Sequence, residues 1–64
     1  MKKIFKELKR LQKLGYYYRL VACPETIDIK LYMDKSLTSP ETNFLSKNTE
    51  DGLYEIFFNL QKTL

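Results

Sequence analysis

The first fourteen residues place apolar and basic side chains on opposite sides of a helix. At about 100° per residue, five apolar side chains in residues 2–14 share one face: Ile4, Phe5, Leu8, Leu11 and Leu14. The basic side chains fall within an arc of about 120° on the other face: Lys2, Lys3, Lys6, Lys9, Arg10 and Lys13. Gly15 follows, a residue type that commonly ends helices. The pattern predicts an amphipathic helix.

Residues 16–23 and 27–34 have the pattern of two strands. The second alternates strictly between apolar and polar positions, from Ile27 to Asp34, whereas the first is apolar on both faces. Between them, the "CPET" sequence is typical of a short turn, because Pro24 favours the φ that a turn requires. A loop of two or four residues gives four inward-facing pairs: Ala22–Ile27, Leu20–Ile29, Tyr18–Leu31 and Tyr16–Met33.

A three-residue loop would instead turn Asp28 and Lys30 toward the core, which is costly. The even register is therefore expected, with Tyr16 and Tyr18 facing the core. Tyr17 then lies on the other face of the sheet, opposite Tyr32.

Residues 35–48 have the weakest pattern in the chain. We expect mostly loop, with Phe44 and Leu45 tucked under it. Two alternatives stay open: a short helix that starts at Ser39-Pro40-Glu41, and a short third strand over residues 42–46.

Residues 49–63 have the pattern of a closing helix. Asn48 or Thr49 can cap it, and acidic residues follow in the first turn, where the helix dipole favours them. One apolar stripe comprises Leu53, Ile56, Phe57, Leu60 and Leu64. Tyr54 and Phe58 form a second stripe, offset by about a quarter to a third of a turn. Gly52 weakens the first turn without cancelling the pattern.

The order of elements predicts one α+β domain over residues 1–64. It is a two-layer α-β-β-α sandwich, with both helices on the one cleanly apolar sheet face and a third strand as an option. A 64-residue chain buries only about 60% of its unfolded surface. A partner or a second copy would supply the missing burial.

The composition limits which disulfide, metal-binding and catalytic functions are expected. The chain has one cysteine, Cys23, and no histidine. We therefore expect no intrachain disulfide, no metal site and no cofactor. The N-terminal stretch lacks the continuous apolar run of a signal peptide or membrane span, so a cytoplasmic location is expected. Without histidine the usual general base is missing, and Cys23 has no activating partner, so we expect a non-enzyme.

The outer sheet face is the first candidate binding surface. Its expected contact set combines aromatic, aliphatic and basic side chains: Tyr17, Arg19, Val21, Lys30 and Tyr32. Such a set suits a protein interface. The alternatives are base stacking by single-stranded nucleic acid, or a tyrosine pair that only stabilises its own hairpin.

Two further surfaces follow from the helices. Net charge is +5 over residues 1–32 and −2 over residues 33–64, and the six cations of the first helix could contact nucleic-acid phosphates. An anionic membrane surface and a simply solvated face are the alternatives. Tyr54 and Phe58 could form a homodimer contact, with Phe5 alongside, or the edge of the core.

Three segments, "GYYYRL", "IDIKLYMD" and "TEDGLYEIFFNL", together resemble the small αββα accessory proteins of bacteriophages and other mobile elements. The resemblance is one of layout. It implies a protein-binding role, in some members the inhibition of a host protein. The order of elements also resembles the double-stranded-RNA-binding domain. That family has a basic cluster at the start of its last helix, where this chain reads "NTEDG", so phosphate binding in that mode is not expected.

The sequence thus favours a small non-enzymatic interaction protein that binds a protein partner or itself through the exposed sheet face, in the setting of the resemblance as a phage-encoded modulator of a host protein. A nucleic-acid-binding protein is the alternative.

Overall fold

A computed structural model describes residues 2–33, 35–37 and 40–63. Two helices enclose three strands in the order α-β-β-β-α. The elements are α1 (Lys2–Lys13), β1 (Tyr17–Ala22), β2 (Thr26–Tyr32), β3 (Thr42–Lys47) and α2 (Glu50–Lys62). The α+β class with two helices is confirmed, and the third strand, an alternative from the sequence, is present.

The sheet is antiparallel throughout, with β2 between β1 and β3. The predicted hairpin register is confirmed across β1 and β2, by Ala22–Ile27, Leu20–Ile29 and Tyr18–Leu31. The expectation of mostly loop over residues 35–48 is wrong for β3. That strand pairs with the second edge of β2, so the backbone groups of the central strand find partners on both sides.

The core lies between the sheet and both helices, which cover one sheet face as predicted. Its fully buried side chains come from α1, β2 and α2: Ile4, Leu8, Leu11, Ile27, Ile29, Leu31, Ile56 and Leu60. Partly buried side chains pack around them: Tyr16, Tyr18, Leu20, Phe44, Leu53 and Phe57. Removal of this apolar surface from water is the main stabilising contribution.

Four residues expected in or beside the core are exposed. Met33 follows the last residue of β2 and is not held inward by the sheet. Among the described residues, Leu45 is the most exposed large apolar side chain, because its neighbour Phe44 faces the core and alternate side chains point to opposite faces. Phe5 and Leu14 lie at the edges of the α1 stripe. Asp34, Ser39 and Leu64, which figured in the sequence patterns, lie outside the described residues.

The ends of both helices follow the sequence signals. Gly15 has φ of 104°, which glycine adopts without a steric penalty. Its N–H donates to the Gln12 carbonyl and the Tyr16 N–H donates to the Leu11 carbonyl, both at 3.0 Å, as in a Schellman motif. At the start of α2, the Thr49 Oγ1 accepts from the Gly52 N–H at 3.1 Å. Thr49 is therefore the N-cap.

Gly52 also has a packing role, in addition to the expected weakening of the first turn. It is buried, and a Cβ built at this position would collide with the Lys47 carbonyl oxygen and approach the Ser46 Oγ to 3.0 Å. The absence of a side chain therefore lets the first turn of α2 lie directly against the end of β3.

Candidate interaction surfaces

The outer sheet face is the side of the sheet away from the helices. Strand alternation and register place ten residues on it: Tyr17, Arg19, Val21, Thr26, Asp28, Lys30, Tyr32, Asn43, Leu45 and Lys47. They form rows across the sheet. Neighbours within a row are about 4.8 Å apart, and successive rows are about 7 Å apart along the strands.

One row on this face places apolar side chains around an acidic one. Val21 and Leu45 are the neighbours of Asp28 on the two flanking strands, and they are 51% and 64% exposed. The Oδ1 of Asp28 is buried and accepts no hydrogen bond from the described residues. The adjacent row contains Arg19, Lys30 and Asn43, of which Lys30 is half-buried. Solvent-accessible apolar surface and cations are therefore side by side.

Tyr32 is the main departure from the expected contact set. It pairs with Tyr17 as predicted, but it is only 3% exposed, whereas Tyr17 is 40% exposed. Tyr32 ends the central strand, with β1 on one side and the chain before β3 on the other. On that second side, the Glu41 N–H donates to the Leu31 carbonyl at 2.7 Å. An approaching protein can contact Tyr17, but not the ring of Tyr32. Leu45, which was not in the expected contact set, adds exposed apolar surface to this face.

Tyr54 and Phe58 lie on the solvent side of α2, not at the edge of the core. The buried line of this helix is Gly52, Ile56 and Leu60, and the two rings lie about 180° from it. The expected offset of a quarter to a third of a turn was measured from an apolar stripe that also included Leu53 and Phe57. Burial of Gly52 rotates the helix, so Leu53 and Phe57 become flanking positions and the second stripe faces outward.

The rings of α2 form an aromatic cluster. The Tyr54 and Phe58 centroids are 5.0 Å apart, and the Phe57 centroid lies 6.2 Å and 6.1 Å from them. The Lys3 Nζ of α1 lies 5.9 Å from the Tyr54 centroid and 5.7 Å from that of Phe57. These distances suit a cation–π contact. Tyr54 and Phe58 remain 52% and 49% exposed. We refer to Tyr54 and Phe58 as the α2 aromatic pair.

Phe5 does not join this cluster. Lys3 marks the side of α1 that faces the rings, and Phe5 lies about 160° from Lys3 around the helix axis. Its exposed ring is therefore on the flank of α1 away from α2.

The six cations of α1 divide into two groups. Arg10 is committed to α2: its Nη2 donates to the Leu60 and Thr63 carbonyls at 3.0 Å each, and its Nε pairs with Glu7 at 2.9 Å. A guanidinium at the C-terminal carbonyls of a helix also suits the helix dipole. Lys3 lies against the aromatic rings. The remaining four cations are exposed, and none forms an ion pair with a residue that the structure describes: Lys2, Lys6, Lys9 and Lys13.

The remaining features to consider are the cysteine, possible metal ligands and the length of the helices. Cys23 is a free, exposed thiol. Residues 2–33, 35–37 and 40–63 contain no group of three acidic or cysteine side chains that could hold a metal ion. Neither α1 nor α2 is long and apolar enough to cross a bilayer.

Comparison with protein-family models, curated proteins and solved structures gives no significant match to this chain. The surfaces themselves are therefore the basis for a functional proposal.

Proposed function

We propose that this chain is a small non-enzymatic interaction protein that binds a protein partner through the outer sheet face. The observation that supports it is the exposure of Tyr17, Val21 and Leu45 around Arg19 on a sheet face that neither helix covers. Aromatic and arginine side chains are enriched at protein interfaces. Large apolar groups gathered on one face commonly mark a contact site.

The charge of the outer sheet face indicates what kind of partner surface would fit it. Arg19, Lys30 and the exposed Lys47 at the end of β3 outnumber Asp28 on this side of the sheet. We expect the partner to present apolar side chains bordered by carboxylates. In the setting that the layout resemblance suggests, the partner would be a host protein in the cytoplasm and this chain its modulator.

The test is a capture experiment with surface variants. Tagged wild-type protein and an Arg19→Glu/Leu45→Ser variant are incubated with bacterial lysate treated with nuclease. We expect a discrete protein to bind the wild type and to be lost from the variant. Phe5→Ser is the matched control, because it removes an exposed apolar side chain from the other layer. A captured protein that both variants retain equally would contradict a contact through the outer sheet face.

Nucleic-acid binding is the second candidate. The observation that favours it is the row of exposed lysines on α1, namely Lys2, Lys6, Lys9 and Lys13. Phosphate contacts by three or four lysines give a slope of about −3 to −4 in log affinity against log salt for duplex DNA. A Lys6→Gln/Lys9→Gln/Lys13→Gln variant should lose most of this dependence. Absence of binding at low salt would reject this candidate.

Self-association is the third proposal, and it concerns a different surface. The α2 aromatic pair faces solvent on the side of α2 opposite the core. A second copy that covered these rings would add the apolar burial that a chain of 64 residues lacks. We expect Phe58→Lys to abolish this association, as measured by sedimentation equilibrium with reductant to keep Cys23 as a thiol.

A further inference from the structure

The ends of the solvent-facing side of α2 carry opposite charges. Glu50 and Asp51 lie in the first turn and Lys62 in the last. Asp51 and Lys62 also share an edge of the helix, because they differ by only about 20° around its axis. They are eleven residues apart, which is about 16 Å along the axis.

The α2 aromatic pair lies between these charges. The midpoint from Asp51 to Lys62 falls between residues 56 and 57, and both Tyr54 and Phe58 are within about 4 Å of it along the axis. The exposed Glu55 lies on the same edge as Asp51 and Lys62, N-terminal to the midpoint. The patch therefore has apolar rings at its centre, carboxylates along its N-terminal half and a cation at its C-terminal end. Such a patch is complementary to a copy of itself that runs in the opposite direction.

We propose that two copies of this protein pair through α2 in an antiparallel, two-fold symmetric arrangement. This inference rests on the proposed self-association through Tyr54 and Phe58 and assigns its geometry. A two-fold axis at the midpoint brings Tyr54 against the partner's Phe58, so that four rings meet at the centre. Because the axis keeps each edge on its own side, Asp51 lies across from the partner's Lys62, and the reciprocal pair forms at the other end.

The charges select against the parallel arrangement. Parallel helices would place both Asp51 carboxylates at one end of the dimer and both Lys62 ammonium groups at the other, and would align the helix dipoles side by side. Repulsion of this kind specifies orientation even where exposed ion pairs add little affinity.

The opposite surface of the protein does not offer this symmetry. On the outer sheet face the cations Arg19, Lys30 and Lys47 outnumber Asp28. Two such faces would repel each other, so a second copy fits α2 and an acidic partner fits the sheet.

The expected affinity is modest. A helix of thirteen residues is about 20 Å long, and two such helices bury less than a standard interface of about 800 Å² per partner. We therefore expect a dissociation constant on the order of 10–100 µM, in the range of weak, transient interfaces.

A charge-exchange series measured by sedimentation equilibrium tests the arrangement. Asp51→Lys and Lys62→Glu should each weaken the dimer about tenfold, because each variant turns two attractive contacts into repulsive ones. The Asp51→Lys/Lys62→Glu double variant should recover to within about threefold of the wild type. Lys47→Glu, the same charge change on β3, is the matched control and should leave the dissociation constant within about twofold.

The rescue separates pairing between copies from effects within one helix. Both substitutions oppose the helix dipole, so a purely intramolecular effect would make the double variant worse than either single variant. Circular dichroism at low concentration confirms that each variant folds. A wild type that is monomeric up to about 1 mM, well above the expected dissociation constant, would overturn the self-association and this geometry with it. A dimer that Phe58→Lys abolishes, but that the double variant does not restore, would overturn only the antiparallel register.

Discussion

The outer sheet face and the α2 aromatic pair are both exposed, yet they differ in how the fold produces them. The sheet face combines side chains from three strands, so its composition depends on the register and on β3. The aromatic pair comes from one helix, and its outward direction depends on which side of α2 is buried. The first surface is basic and lacks self-complementarity, whereas the second has opposite charges at its ends.

This difference suggests a division of roles. A net basic surface repels a copy of itself and attracts an acidic partner. A surface with an apolar centre and opposite charges at its ends can pair with itself in one orientation. In such a small protein, two contact surfaces on opposite layers can be occupied at the same time without competing for space.

The largest expected effect separates buried from exposed residues within the sheet surface. Tyr32→Ala should lower the free energy of unfolding by about 3 kcal/mol, because truncation of a buried aromatic side chain leaves a cavity. Tyr17→Ala, its matched neighbour in the register, should cost less than about 1 kcal/mol. Urea unfolding followed by circular dichroism measures both. Equal losses would show that Tyr32 is not the structural member of the pair.

A similar loss is expected where α2 meets β3. Gly52→Ala adds a Cβ against the Lys47 carbonyl, and overpacking of this kind costs about 1–3 kcal/mol. We expect a loss at the upper end of this range, because the group in contact is backbone. Glu55→Ala, on the exposed side of the same helix, is the control and should stay within about 0.5 kcal/mol. A neutral or stabilising Gly52→Ala would mean that α2 is not held in this rotation, and that the outward direction of the aromatic pair is not fixed.

Arg10 distinguishes the two groups of cations on α1. Arg10→Gln removes a charged donor from the Leu60 and Thr63 carbonyls, and we expect a loss of about 1 kcal/mol because the side chain is partly exposed. Lys9→Gln on the solvated side should have no measurable effect on stability. The thermal midpoints of the two variants provide the comparison, and a loss confined to Lys9→Gln would contradict the assignment.

The smallest effect on the isolated chain is expected at the aromatic pair. At concentrations where the protein is monomeric, Tyr54→Ser/Phe58→Ser should change the free energy of unfolding by less than about 1 kcal/mol, because both rings face solvent. At higher concentration the wild type alone should gain stability, since dimer formation stabilises the folded state by mass action. Urea midpoints at two concentrations test this. Identical concentration dependence in both proteins would contradict self-association through these rings.

Much of the fold was predictable, because strong periodicity determined it. The basic and apolar faces of α1 follow from helical spacing, and burial of Ile27, Ile29 and Leu31 excludes the hairpin register of a three-residue loop. The strand Thr42–Lys47 was harder to predict, because its local pattern is weak. It forms because the edge of β2 offers backbone groups for pairing. Tertiary pairing determined that element.

The sites were less predictable for the same reason. Alternation placed Tyr32 on the outer face correctly, but could not show that the returning chain at Glu41 would lie beside it. Charge periodicity placed Arg10 among the free cations, while its partners are carbonyls fifty residues away in the sequence. Gly52 carried a signal that could have been used: a glycine inside a helical pattern costs stability relative to alanine, so its presence suggests a packing reason.

Sedimentation equilibrium of three proteins tests the division of roles most directly. The wild type, Phe58→Lys and Arg19→Glu/Leu45→Ser are compared under reducing conditions across about 5–500 µM, a range that spans the expected dissociation constant. We predict that the wild type and the sheet variant approach twice the monomer mass at the highest concentration and that Phe58→Lys remains monomeric. A Phe58→Lys protein that still dimerises, beside a sheet variant that does not, would reverse the roles of the two surfaces and contradict the account.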